Sequence, residues 1–352
     1  MSEPIKLKKK TYSISEDFLE YLQEHSRHVK LPLSYHDLLR FEDGMSIYDD
    51  GGIDTLWLRT FYPPHEQEEI HLALKKIYSI LHADGSPEML PYLNVDAIDF
   101  CTFGNTKPFR VKVRNVINDN YVYFYIKLAD ASRIYGLELE EILSPNQINF
   151  LIQKDTLIEE HISGIPGDVF MDSYLADRPS SEISAIAKEF VKFNERCFVR
   201  LLGDMRAYNY VVVLTNDFDR IQYRFRAIDF DQQSYEGDSA VYRPSSFKEN
   251  KPMMDLIEEV LPEESIDQYK KEERALIAKR ASMNKDRLKS LISCMKSNTL
   301  SLPKHVDLLR KDLYSLTGDV KFKRSKNMGE LIESTMDFVV RNYENVNVYL
   351  IN

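Results

Sequence analysis

The segment Leu202-Gly203-Asp204-Met205-Arg206-Ala207-Tyr208-Asn209 governs how the rest of the chain is read. Before it, Glu182–Leu202 places Ile186, Phe190, Phe193, Cys197 and Leu201 on one stripe, which predicts a long amphipathic helix. After it, Tyr210–Leu214 and Tyr223–Phe230 are rich in aromatic and β-branched residues. They flank the turn Thr215–Arg220, so a hairpin is expected, running out in Ile228-Asp229-Phe230-Asp231. An Asp on a loop between helix and strand can be aimed at a bound molecule. An Asn opens the first strand, and a second Asp lies at the end of the neighbouring one. Taken singly, Gly-Asp and Asn-Tyr are ordinary turn residues. Their order, the hairpin between them and the helix before them together favour a functional reading.

This arrangement resembles the catalytic loop and metal-binding loop of the protein-kinase-like superfamily. Ile-Asp-Phe-Asp is similar to the aminoglycoside phosphotransferase and choline kinase branch, and the Arg two residues after the Asp to protein kinases. The resemblance spans about 95–240. It implies that Asp204 orients an acceptor hydroxyl, that Asn209 and Asp229 hold Mg²⁺ on ATP, and that Arg206 neutralises the γ-phosphate in flight. Asp231 would assist the metal or cap the next turn.

The segment 95–163 predicts the other half of such a site. Val95–Phe103, Phe109–Val113 and Tyr121–Leu128 read as a meander of strands, with the turn Asn118-Asp119-Asn120 between the last two. Asp130 then caps a helix that reaches Leu143, and Ile148–Ile152 and Thr156–Ile162 are two more strands. By the resemblance, Lys127 is the lysine that grips the α- and β-phosphates, and a carboxylate of the helix pairs with it. Glu138, Glu140 and Glu141 are the candidates, with Glu138 favoured. The sparse loop around Gly104 would cover the phosphates, and the extended run through Glu160 and Ile162 would offer backbone groups to adenine. A surface lysine and surface glutamates are the plain alternatives. His161 reads as a packed or exposed hinge residue rather than a catalyst, and Trp57 as core.

The boundaries follow. Residues 1–94 are a partly helical N-terminal extension, with a helix over 66–83. Residues 95–163 are a kinase-like N-lobe. Beyond the linker Gly164-Ile165-Pro166-Gly167, residues 164–352 are a mainly helical C-lobe, with later helices near 253–261, 265–296, 303–315 and 328–345. The expected class is α+β, a two-lobed protein-kinase-like fold with an antiparallel sheet in the small lobe.

Composition narrows the function. In 352 residues, 43% are apolar, enough for a full core, and the net charge of −10 disfavours a nucleic-acid partner. Lys6, Lys8, Lys9 and Lys10 read as a solvated end. Cys101, Cys197 and Cys294 are scattered, so neither a disulfide framework nor a zinc site is indicated. Asp217-Phe218-Asp219 lacks the glycine and closing glutamate of a calcium loop. No membrane span or signal segment is apparent, and a cytoplasmic protein is expected. The expected activity is ATP- and Mg²⁺-dependent phosphoryl transfer to a hydroxyl of a small molecule or protein. The alternatives are a nucleotide-binding module without turnover, and nucleotidyl transfer on the same fold.

Overall fold

The structure, a computed structural model, describes residues 9–82, 85–103, 106–176, 178–218 and 220–343. It is α+β, and its contacts divide it into two compact units. The sheet unit is Ser13–Asp130 with Ile148–His161; the helical unit is the described part of 1–12, 131–147 and 162–352. This redraws the sequence boundaries. Residues 13–94 are integral to the sheet unit rather than an extension, and the helix after Asp130 belongs with the helical unit.

In the sheet unit, α1 (Glu16–Glu24) starts where the Ser15 side chain accepts the Phe18 N–H. Helix α2 (Tyr35–Leu38) starts from a reciprocal cap between Ser34 and Asp37. Strands β1 (Asp43–Tyr48) and β2 (Asp54–Phe61) form a hairpin around Asp49-Asp50-Gly51-Gly52, where Gly52 takes a φ of 77°. Helix α3 (Pro64–His82) follows, then β3 (Leu93–Cys101), β4 (Phe109–Asn115) and β5 (Tyr121–Leu128). The chain returns with β6 (Phe150–Gln153) and β7 (Thr156–Glu160). All seven strands pair antiparallel in the order β1-β2-β3-β4-β5-β7-β6. Alternation puts Val111, Val113, Phe124 and Ile126 on one face, where they share a core with Ile70, Leu74 and Ile77 of α3. Each such side chain contributes about 1.5–3 kcal/mol by leaving water. The opposite face carries Lys112, Tyr121, Tyr123 and Tyr125, with the Lys112 amino group 4.1 Å from the Tyr121 ring centre.

The helical unit contains α4 (Ala131–Leu143), the short β8 (Ile165–Pro166), α5 (Gly167–Ser173) and the long α6 (Ser180–Arg200). Strands β9 (Tyr210–Asp217) and β10 (Arg220–Ala227) complete a three-stranded antiparallel sheet, β10-β9-β8. Helices α7 (Lys251–Val260), α8 (Glu263–Met283), α9 (Lys285–Ser297), α10 (Pro303–Thr317), α11 (Val320–Arg324) and α12 (Met328–Asn342) follow. The single helix predicted over 265–296 is two, broken at Asn284.

Helix α6 is the axis of this unit and packs on α7, α8, α12 and β10. Two buried ion pairs lock it to α8 crosswise: Glu195 with Arg274 at 2.5 Å and Arg196 with Glu273 at 2.7 Å. Because consecutive residues of one helix meet consecutive residues of the other, a slip of one residue along either helix would set like charges together. Gly167 is required where α5 begins: a Cβ there would lie 2.2 Å from the Tyr210 ring and 2.5 Å from the Ala207 carbonyl. Among the described residues no helix is long and apolar enough to cross a membrane.

Candidate active site

The loop after α6 is shaped by backbone before side chains act. Leu201 ends the helix in the left-handed region, and Asp204 adopts a φ of 59°. Asp tolerates that conformation better than bulkier residues, and it turns the carboxyl out of the chain path. The loop is sewn to the segment after β10 by hydrogen bonds from the Gly203 N–H to the Gln232 carbonyl and from the Ser234 N–H to the Leu201 carbonyl. The Gln233 side-chain amide donates to the Arg200 and Leu201 carbonyls, satisfying orphan groups at the end of α6.

Within this frame the Asn209 side-chain amide donates to the Asp204 carbonyl at 2.7 Å. That bond ties the two ends of the loop and sets the Asn209 amide orientation, so its oxygen faces away from the Asp204 carbonyl. The Ile228 N–H donates to the Asn209 carbonyl at 3.0 Å, which brings the Asp229 segment alongside. Strand β10 ends at Ala227, so Asp229 and Asp231 stand on the loop beyond it and not on the strand, as their apolar neighbours suggest.

Asp204 accepts from the Arg206 Nε at 2.9 Å, and Arg206 also reaches Glu249 at 2.7 Å while its guanidinium lies over the Phe247 ring. Burial pushes the Asp204 carboxyl up to about 6; Arg206 pulls it down, and Asp229 and Glu249 push it up. The mutual effect of Asp204 and Asp229 places both carboxylates in one electrostatic neighbourhood. Asn250 holds the 243–250 segment against the loop, donating to the Met205 and Pro244 carbonyls and accepting from the Tyr210 hydroxyl. One oxygen of Glu249 is buried without a hydrogen-bond partner among the described residues.

Arg133 of α4 is a component that sequence reasoning passed over. Its guanidinium, 2% exposed, donates to Asp229 at 2.8 Å and Asp231 at 2.9 Å, and to the Ile228 carbonyl. Its signal was present: it is the sole cation in the helix Ala131–Leu143, and a cation in so apolar a helix needs buried counterions.

The three glutamates of that helix have ion pairs within the helical unit. Glu138, fully buried, pairs with Arg287 at 2.8 Å, and Glu141 lies 3.5 Å from the same guanidinium. Glu140 pairs with Arg200. Burial opposes the charge of Glu140, and Arg200 and Arg196 outweigh it and hold its carboxyl below the usual range. These helix carboxylates therefore build the helical unit. In the sheet unit Lys127 pairs with Glu159 at 2.7 Å. Lys127 and Glu159 sit diagonally on neighbouring strands and on one face, so sheet register brings them together.

The Glu160 N–H donates to the Asn149 carbonyl and the His161 N–H to the Tyr123 carbonyl. Ile162 is buried and belongs to the helical unit. Gly104 lies outside the described residues. The structure thus gathers Asp204, Arg206, Asn209, Asp229 and Asp231, and adds Arg133 and Glu249. No protein-family model matches the chain, and no curated protein matches it.

Proposed function

We propose that the chain is an ATP- and Mg²⁺-dependent phosphotransferase of the protein-kinase-like superfamily, acting on a hydroxyl of a small molecule or protein. The observation that carries this reading is the bond from the Asn209 amide to the Asp204 carbonyl, with Asp229 docked beside it. It joins a base, an amide oxygen and a carboxylate from separate elements in the order that phosphoryl transfer needs. In the transfer, the acceptor hydroxyl gives its proton to the Asp204 carboxylate as its oxygen forms a bond to the γ-phosphorus. The bond from that phosphorus to the ADP oxygen breaks. An Asp204 carboxyl titrating near neutrality is a better base than an ordinary aspartate. Arg206, held by Asp204 and Glu249, supplies a positive charge beside the transferring group.

Asp229, Asp231 and the Asn209 amide oxygen are hard donors that fit Mg²⁺, which asks for few protein ligands. Bound there, the metal would neutralise phosphate charge. Lys127 enters as a phosphate-gripping cation on the resemblance alone, with Glu159 as its partner.

One observation favours a second reading, a nucleotide-binding module without turnover. Arg133 already places a cation between Asp229 and Asp231. Thermal unfolding with ATP alone and with Mg·ATP separates the two. A ligand at a hundred times its Kd adds about 2.7 kcal/mol. Phosphotransfer expects the larger shift with Mg·ATP; equal shifts favour the second reading, and no shift with either removes both.

A further inference from the structure

A second cleft, of about 300 Å³, lies between α6, α7 and α8 in the helical unit. That is the lower end of the volumes small ligands occupy. Its walls are apolar at Phe190, Phe198, Ile257 and Ile266, and Arg243, Ser245 and Lys270 line it as well. Arg243 is the unusual member. Its guanidinium lies 4.5 Å from the centre of the Phe198 ring, and its Nη2 is buried with no hydrogen-bond partner among the described residues. Burial holds its pKa below the usual value, with Glu195, Asp238 and Asp312 attracting it only from a distance. Other buried guanidiniums of this unit sit directly on carboxylates: Arg196 on Glu273, Arg274 on Glu195, Arg133 on Asp229 and Asp231.

The lining carries three cations, Arg243, Lys270 and Arg274, against two carboxylates, Glu195 and Glu258. Glu195 is taken by Arg274, Lys270 lies 3.8 Å from Asp267, and Glu258 is exposed to solvent, which among the described residues leaves Arg243 as the cation of the lining with no carboxylate on it. A guanidinium nitrogen buried without a partner is costly, and an acceptor entering the cleft would relieve that cost.

We propose that this cleft binds a small organic anion, a phosphate monoester or carboxylate on an apolar body. Its charged head meets Arg243 and Lys270, and its body lies against Phe190, Phe198 and Ile266. The site is independent of the phosphotransfer reading. Arg243 and Ser245 precede Glu249 and Asn250 on one short segment, so the cleft lies behind the segment that Asn250 ties to the Met205 carbonyl.

Calorimetric titration of the full chain with phenyl phosphate tests this, with inorganic phosphate and phenol as the two half-ligands. Saturable binding of phenyl phosphate, tighter than either half, is expected. Losing a charge-assisted hydrogen bond weakens binding about 10–100-fold, which is the effect expected of Arg243→Met. Arg243→Lys should recover part of it. Ile266→Trp fills the apolar half without touching the charge and should abolish binding, so the test stands even if Arg243→Met misfolds. Asp229→Asn should bind the probe as wild type does. No saturable binding to the wild type overturns the proposal. So does unchanged affinity in either cleft variant, or an equal loss in Asp229→Asn, which would move the probe to the transfer site.

Discussion

Replacing Asp204 by Asn removes a carboxylate that folding disfavours. Its titration is displaced from 3.8 to about 6, first by burial and then by Asp229 and Glu249, against the pull of Arg206. Between those values the folded protein keeps a proton that the unfolded chain has lost. Stability from this group is therefore full below the unfolded value, declines as pH rises through the window, and is gone above the folded value. A displacement of about two units corresponds to about 3 kcal/mol at neutral pH. The side chain keeps 23% exposure, so water recovers part of the penalty and about 3 kcal/mol is the ceiling. Asparagine is neutral throughout and has nearly the same shape. Urea unfolding from about pH 4 to about pH 7.5 should show Asp204→Asn matching wild type at the acid end and gaining stability steadily above it. Activity should move oppositely: wild-type turnover rises through about pH 6 as Asp204 ionises, and the variant is inactive throughout. A stability difference that stays flat with pH, or that shrinks as pH rises, refutes this reasoning.

Arg133→Met removes a buried guanidinium from Asp229 and Asp231 and should cost about 3–5 kcal/mol. Millimolar Mg²⁺ should raise the melting temperature of this variant more than that of wild type, measured by calorimetry, because one positive charge competing with the metal for the two carboxylates is gone. Glu138→Gln should destabilise by about 2–4 kcal/mol through Arg287, measured by chemical denaturation, and Glu159→Gln should weaken ATP binding, measured by fluorescence titration with a labelled nucleotide. Gly167→Ala should cost at least about 3 kcal/mol in chemical denaturation, since the added Cβ overlaps both the Tyr210 ring and the Ala207 carbonyl.

Much of the local structure is legible in the sequence because strong periodicity writes it. The stripe from Ile186 to Leu201 and the alternation in Phe109–Val113 each have one partner face to bury, and both appear as read. The hairpin of β1 and β2 is not legible. It lies at the edge of the sheet, exposes Met45, Tyr48 and Phe61, and so lacks a clean inward–outward pattern. The break at Asn284 has neither Gly nor Pro to mark it. Ile228 and Phe230 look like strand, but the β10 ladder stops at Ala227, and Asp229 owes its position to the loop.

The candidate site divides along the same line. Asp204 and Asn209 are tied by a side-chain bond within one short loop, and a hairpin returns Ile228 to Asn209, so their spacing carries the message. The ion pairs of the α4 glutamates within the helical unit come from far away in sequence, Arg287 beside Glu138 and Arg200 beside Glu140, and sheet register sets Glu159 beside Lys127. Nothing in the spacing of Glu138, Glu140 and Glu141 records those neighbours.

Whether Asn209 and Asp229 hold a divalent ion at the phosphates of ATP can be read by titrating wild type and Asp229→Asn with Mn·ATP and following water-proton relaxation. A phosphotransferase with this site gives saturable enhancement with the wild type and at least about tenfold weaker binding with the variant, the size of one lost charged ligand. No enhancement with the wild type, or the same curve for both proteins, contradicts it.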